Sequence, residues 1–199
     1  AALHISPVTA TIGAQAHYGD FAFTTGSAVT RNQLFLHCAG EGSKVRIGGA
    51  NLIKDRQHVD TTLVVDHAAP GCESREVFKS VLDGESRGVF QGKIVVRPEA
   101  QKTDGRMMTQ ALLLSDNAEA DNKPELEIFA DDVQCGHGAT AGRLDDNLLF
   151  YLMARGIPAK EAEALLIQAF VGEAVDGIAH AGLREVLMGR VETWLKARG

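Results

Sequence analysis

One short segment carries the residue types best suited to metal or sulfur chemistry. Within residues 131–140, Cys135 and His137 are two positions apart, and Gly136 and Gly138 lie on either side of the histidine. In an extended strand, side chains at positions i and i+2 point to the same face, so the thiol and the imidazole would project together. Such a pair is a plausible set of ligands for a soft or borderline metal ion, and the glycines would let a cluster or another backbone approach closely.

Two ligands do not complete a metal site. The competing interpretation is a buried structural cysteine next to a structural histidine, because both residue types commonly occupy such positions. If Cys135 and His137 do bind a metal, the remaining ligands must come from elsewhere in the chain or from a second chain.

The other residues with chemical potential give weaker signals. His67 and Cys72 lie on either side of a turn at Pro70, where a structural turn with a buried cysteine is the stronger interpretation. Asp60 and Asp66 form no pair with an enforced geometry, and we interpret them as solvated residues of turns and strand edges. The sequence lacks the GxxxxGK[ST] and GxGxxG motifs, which argues against nucleotide binding.

Composition and charge are those of an ordinary globular protein. Hydrophobic residues make up 45% of the 199 residues, charged residues 23%, and the net charge is −6 without a dense Lys/Arg cluster. These values argue against nucleic acid as a partner. The apolar stretches are far shorter than the roughly 20 residues of a membrane span. The three cysteines form no CxxC pair, which fits a reducing compartment, and we expect a cytoplasmic protein.

The hydrophobic pattern changes near Gly142. Before this residue, short runs rich in Val, Ile, Phe and Thr alternate with turn residues, which predicts an all-β region. A sandwich, a barrel and a β-helix all remain open on that pattern. After it, apolar residues recur at helical spacing, and we predict domains at residues 1–142 (β) and 143–199 (helical). In the last predicted helix, Leu183 and Val186 are among the residues expected to face inward.

Several motifs, in order and at sensible spacing, resemble the SufB/SufD family of iron–sulfur cluster assembly proteins. The resemblance covers roughly residue 60 to the C-terminus. The segments that carry it are residues 90–94, 100–105, 112–115, 118–119, 124–128, 131–133, 135–140 and 150–157.

The resemblance implies a mainly β protein, with a right-handed parallel β-helix followed by a small α-helical C-terminal domain. It implies a non-catalytic scaffold subunit that pairs with a SufB-like subunit and docks a SufC-like ABC-type ATPase. A homodimer is the alternative pairing, and neither nucleic acid nor membrane is an expected partner. Arg155, Gly156 and Ile157 fall in the region expected to dock the ATPase. No cofactor is expected to be held stably by this chain alone, only a transient iron–sulfur cluster at a subunit interface.

One position separates the two branches of the family. SufB-like chains resemble His-Glu-Ala-Thr here, whereas this chain has glycine at position 138, which is the SufD pattern. By this resemblance, His137 matches a histidine at the subunit interface near the site of cluster formation, and Cys135 matches a cysteine next to it. Both are therefore the expected metal ligands of a shared site. Family members also have a substantial region before the matched part, so we expect this chain to be a C-terminal portion.

The alternative is an enzyme built on the same architecture, a β-helix polysaccharide lyase or hydrolase. Such enzymes usually line a long groove with acidic, basic and aromatic side chains. Aromatic residues make up only 6% of this chain, and several of them lie in apolar runs.

Overall fold

The computed structural model describes residues 2–198, which form ten strands followed by three helices. The strands are β1 (Leu3–Ile12), β2 (His17–Thr24), β3 (Val29–Cys38), β4 (Lys44–Ile53), β5 (His58–His67), β6 (Glu73–Leu82), β7 (Arg87–Val96), β8 (Asp104–Leu113), β9 (Glu119–Ile128) and β10 (Gln134–Gly142). The helices are α1 (Asp146–Ala154), α2 (Ala159–Val175) and α3 (Ala181–Ala197).

Alternate strands stack into two parallel five-stranded sheets. The odd-numbered strands follow the order β1-β3-β5-β7-β9, and the even-numbered strands follow the order β10-β8-β6-β4-β2. Lys44 of β4 pairs with Glu73 of β6, 29 residues later, so neighbouring strands of a sheet come from successive coils of the chain. The predicted parallel β-helix followed by helices is therefore confirmed, and the sandwich and the barrel are excluded.

Alternate residues of each strand fill the interior of the β-helix. In β5 every second residue is buried, and Leu63 at its centre is 0% exposed. Leu63 lies in register with Leu34 of β3 and with Gly92 of β7. A Cβ at Gly92 would lie 2.4 Å from Sδ of Met107 and 2.6 Å from a ring carbon of Phe90, so neighbouring side chains occupy its place in the stack. The coils thus share a shape without sharing a sequence motif.

The region predicted to be helical contains three helices, but the expected inward face of the last one is wrong in part. α1 begins after Asp145, whose carboxylate accepts hydrogen bonds from the N–H groups of Asn147 and Leu148. In α3, Leu183 and Val186 are 44% and 58% exposed instead of facing inward. The buried residues of α3 are Val191 and Trp194, because its second half lies in the core shared by sheet and helices. No helix in the described part of the chain is both long and apolar enough to cross a membrane.

The helices and the even-numbered sheet share a hydrophobic core. Leu52 of β4 and Val81 of β6 lie in one buried cluster with Ile167 and Val171 of α2. The division into domains at residues 142 and 143 stays a prediction because this core joins the two parts. The change from strands to helices does fall between β10 and α1. The predicted domains also include residues 1 and 199, which lie outside the described residues.

A buried lysine fixes α2 to the sheet. Lys79 of β6 is 2% exposed, forms an ion pair with Glu173 and lies 4.4 Å from the ring centroid of Phe170. Both partners belong to α2, so a charge that is costly to bury is compensated from the helix alone.

Replacing Glu173 by Gln is expected to lower the free energy of unfolding by about 1–2 kcal/mol, because Lys79 would stay buried without its carboxylate. The value lies below that of a fully buried pair since the Glu173 side chain is 69% exposed. Glu192→Gln, on the exposed surface of α3, is the matched control. Urea denaturation at pH 7 compares the two variants, and equal stabilities would contradict the role given to the pair.

Candidate functional site

The last coil leaves two strand edges unpaired. Within residues 2–198, β10 pairs only with β8 and β9 pairs only with β7, so each is the final strand of its sheet. An unpaired edge presents free backbone N–H and C=O groups to which another chain can add. The segment that carries the cysteine and the histidine therefore lies on an edge available to a partner.

Cys135 and His137 share the inward-facing side of β10. They lie in register with Gly105 and Met107 of β8, and Met107 is 2% exposed in the interior of the β-helix. No described coil follows β10, so this side is open at the end of the helix. His137 is exposed, whereas Cys135 is half-buried and packs against the interior cluster. The structure thus places both predicted ligands on one face, at the boundary between core and solvent.

The Cys135 thiol is held in its protonated form. Burial raises the pKa of Cys135, the backbone N–H of Gly105 lowers it, and the carboxyl groups of Asp104 and Glu76 raise it further. The thiolate is the form that binds metals and attacks sulfur donors. A metal ion arriving at Cys135 must therefore displace a proton, which couples occupancy of the site to pH.

The two glycines that flank His137 serve different purposes. A Cβ at Gly138 would lie 2.6 Å from Cε of Met108, so the missing side chain makes room for that methionine. A Cβ at Gly136 would meet nothing within 4 Å. The expectation that both glycines admit a partner is thus supported at Gly136, whereas at Gly138 the space is occupied.

Cys135 and His137 do not form a complete metal site in this chain. In the described residues, no group of three or more His, Cys, Asp or Glu side chains is placed to hold a metal ion. A four-coordinate site would need at least two further ligands from outside this segment. The open edge of β10 is the place where a second chain could supply them.

The second candidate pair, His67 and Cys72, is structural. Both side chains are 0% exposed; His67 Nε2 lies 3.0 Å from Oγ of Ser74, and Cys72 receives a hydrogen bond from Ser43. Burial lowers the pKa of His67 to about 4, so the ring is neutral at pH 7. The interpretation as a turn with a buried cysteine agrees with Gly71, whose φ of +67° marks a left-handed turn residue.

Asp60 and Asp66 belong to ion pairs on the outer face of the odd-numbered sheet. Asp66 accepts hydrogen bonds from Arg97 at 2.9 Å and from His37 at 3.1 Å. Burial would raise the pKa of Asp66, but Arg97 and His37 together hold it below its ordinary value. Asp60 lies 3.8 Å from Arg31. These carboxylates are paired rather than simply solvated, and no acid–base dyad results.

Glu76 is a buried titratable group that sequence reasoning missed. It lies on β6 in register with Met107, which is in turn in register with His137, so one inward row links the three positions. The side chain is 0% exposed, and neither carboxyl oxygen has a hydrogen-bond partner among residues 2–198. Burial raises the pKa of Glu76 to about 8, so this carboxyl is mostly neutral at pH 7.

A second feature is the apolar surface of α1. This helix has no buried residue, and its exposed apolar side chains are Leu148, Phe150, Tyr151 and Met153, with Phe150 72% exposed. Arg155 ends the helix, with its guanidinium 4.8 Å from the centroid of the Tyr151 ring, and Gly156 follows at a φ of +88°. The predicted docking residues Arg155, Gly156 and Ile157 thus adjoin an uncovered apolar surface.

Comparison with known proteins gives one consistent result. The family model described as SUF system FeS cluster assembly, SufBD core domain, matches residues 1–170. The iron–sulfur cluster assembly protein SufD of Escherichia coli (strain K12) is 39% identical over 170 residues, which are 85% of this chain and 40% of that protein.

Two further relatives carry the name of the same family. A SufBD family protein of Mycobacterium leprae is 34% identical over 198 residues, which are 96% of this chain and 50% of that protein. A SufBD family protein of Synechocystis is 34% identical over 183 residues, 91% of this chain and 40% of that protein. The chain thus spans about half or less of the length of the curated relatives that it matches.

Proposed function

Because the chain belongs to the SufBD family of iron–sulfur cluster assembly proteins, we propose that it is a non-catalytic, SufD-like scaffold. In this proposal its last strand contributes His137 and Cys135 to a cluster site shared with a second subunit. The observation that carries the proposal is the position of these two side chains. They share one face of an unpaired edge strand, and His137 is exposed to solvent.

The proposed partner at this edge is a SufB-like subunit. Its strands would add to β9 and β10, satisfying their free backbone groups and bringing further ligands close to His137. The cluster is cargo in this scheme, held between two chains and then passed on.

The two side chains suit iron as a ligand pair. An imidazole nitrogen and a thiolate are both accepted ligands of iron. Since Cys135 holds its proton until a cation compensates the charge, His137 would bind first and Cys135 would follow as its proton leaves. The half-buried position of Cys135 also protects its sulfur from bulk oxidants.

The ATPase is proposed to dock at the apolar surface of α1, with Arg155, Gly156 and Ile157 at its rim. Uncovered clusters of large apolar side chains commonly mark protein-binding surfaces. α1 contacts α2, and α2 packs on β4 and β6. Movement of an ABC-type ATPase could therefore reach the β-helix through α2, and through it the subunit interface.

Replacing Phe150 by Asp is expected to weaken binding of the ATPase at least about tenfold, because a charge would replace a central apolar contact. Val186→Asp is the control, since Val186 is 58% exposed on α3 but lies outside the proposed surface. Calorimetric titration of both variants with the purified ATPase measures the difference. Unchanged affinity for the Phe150 variant would remove α1 from the interface.

The scaffold proposal is tested by cluster formation in complexes that differ only at His137. The chain is mixed under nitrogen with its SufB-like partner, the ATPase, iron and a sulfide source, and the cluster formed is measured. We place this function in the cytoplasm. The alternative, a polysaccharide lyase or hydrolase, predicts activity on polyuronates and no dependence on His137, and the names of the relatives favour the scaffold.

A further inference from the structure

A row of arginines crosses the outer face of the even-numbered sheet. Arg46 of β4, Arg75 of β6 and Arg106 of β8 lie in register on three neighbouring strands. Their neighbours along the chain, Ile47 and Met107, are buried in the interior, so the arginines face the opposite side. Neighbouring strands are about 4.8 Å apart, which places the three side chains within about 10 Å of each other at the backbone.

The arginine row is not explained by the stability of the fold. Like charges on directly neighbouring strand positions destabilise a sheet. Asp104 compensates two of them, accepting hydrogen bonds from Arg75 at 2.6 Å and from Arg106 at 3.2 Å. Arg46 has no hydrogen bond or ion pair within residues 2–198, and the nearby Glu73 is paired with Lys44 instead. The row therefore keeps excess positive charge on a chain whose net charge is −6.

The row leads into a groove of about 490 Å³ at the end of the sheet. Arg75 and Arg106 line the groove on one side, and Cys135 and His137 of β10 line it on the other. Arg46 lies next to Arg75 in the row but is not part of the lining. At Gly136 the groove has no side chain, and the space next to that residue is open. The groove is thus a defined concave surface and not only a charged patch.

The guanidinium groups of Arg75 and Arg106 are held in place before any ligand arrives. Arg75 donates to the backbone carbonyl oxygens of Ser74 at 2.8 Å and Asp104 at 2.9 Å, in addition to the Asp104 carboxylate. Arg106 is held through Nε, and its two terminal nitrogens have no partner in the described part of the chain. Fixed donors bind more tightly, because less side-chain freedom is lost when the ligand binds.

We propose that this groove binds a small anion with two or more oxyanion groups, carboxylate or phosphate. Guanidinium groups bind both kinds of oxyanion through paired hydrogen bonds. Two arginines on neighbouring strands of the lining suit a ligand with two charged groups better than a monovalent anion. Cys135 and His137 also line the groove, so its ligand would bind directly next to the proposed cluster site.

The test uses calorimetric titration of the whole chain at pH 7 and low ionic strength with pyrophosphate, tricarballylate and acetate. Saturable binding is expected for pyrophosphate, tricarballylate or both, and the tighter of the two identifies phosphate or carboxylate chemistry. Binding should weaken as salt is added. Arg106→Gln should weaken it about tenfold, since it removes charge-assisted hydrogen bonds.

Arg56→Gln is the matched control. Arg56 is exposed, pairs with Glu85 and lies outside the groove, so this variant should bind like the unchanged chain. Thermal unfolding of each variant checks that the fold is kept. Failure of both multivalent probes to bind saturably, or equal weakening by Arg56→Gln, would overturn the proposal, and neither result would affect the His137 experiment.

Discussion

Complexes that contain the His137→Ala chain are expected to form iron–sulfur clusters at least about tenfold more slowly than complexes with the unchanged chain, since changes around metal ligands commonly cost that much. The imidazole is the most accessible ligand of the proposed site, and alanine offers no replacement. The free energy of unfolding should change by less than about 0.5 kcal/mol, because substitutions at exposed positions without partners are usually that small. His137 is exposed and has no hydrogen bond or ion pair within residues 2–198.

The measurement is anaerobic reconstitution with the SufB-like partner and the ATPase, followed by visible absorbance and by iron and sulfide analysis. His17→Ala is the control, since His17 is exposed on β2 at the other end of the even-numbered sheet. It should leave cluster formation unchanged. Normal yield from the His137 variant, or an equal loss from the His17 variant, would argue against a site on β10.

Replacing Glu76 by Gln is expected to raise the free energy of unfolding at pH 8 by about 2–4 kcal/mol, and to change it little at pH 5. The ordinary pKa of this carboxyl is 4.5, and burial raises it to about 8 in the folded chain. Between these values the unfolded chain has released the proton while the folded chain still holds it. The unfolded state therefore binds fewer protons, and stability falls as pH rises through this window. Glutamine has nearly the same shape and no such proton to lose.

Urea denaturation from pH 5 to pH 8.5 measures this effect as the difference in free energy of unfolding between the Glu76→Gln chain and the unchanged chain. The buried His67, whose pKa falls from 6.5 to about 4 on folding, also changes stability with pH, but it does so equally in both chains and cancels in their difference. Glu99→Gln, at an exposed position, serves as the control and should run parallel to the unchanged chain. Should the Glu76→Gln curve also run parallel, Glu76 would not be the buried group described here.

The strand-rich and helical parts could be predicted from the sequence, but the closure of the sheets could not. The two-residue alternation in β5 shows which side of the strand is buried, and it is the same in a sandwich, a barrel or a β-helix. The stack of Leu34, Leu63 and Gly92 shows that successive coils fill one position with different residues, so the sequence pattern does not reveal the coils. Only the resemblance to a known family separated the three architectures.

The candidate site was predictable to a similar extent. The spacing of Cys135 and His137 places them on one face, but their exposure depends on β10 being the last strand, which no local pattern shows. Glu76 was missed because β6 carries charged residues on both faces. Lys79 is buried under α2 on the outer face, while Glu76 is buried in the interior. Alternation alone cannot tell these two environments apart.

The central claim is that this chain supplies a histidine ligand to a cluster held between two subunits. The most direct measurement is pulsed electron paramagnetic resonance on a paramagnetic state of the cluster. Only this chain carries ¹⁵N-labelled histidine, and its partner is unlabelled. We predict a ¹⁵N coupling from a directly bound imidazole, and its loss in His137→Ala. A cluster that forms without this coupling, or a coupling that persists in the variant, would contradict the account.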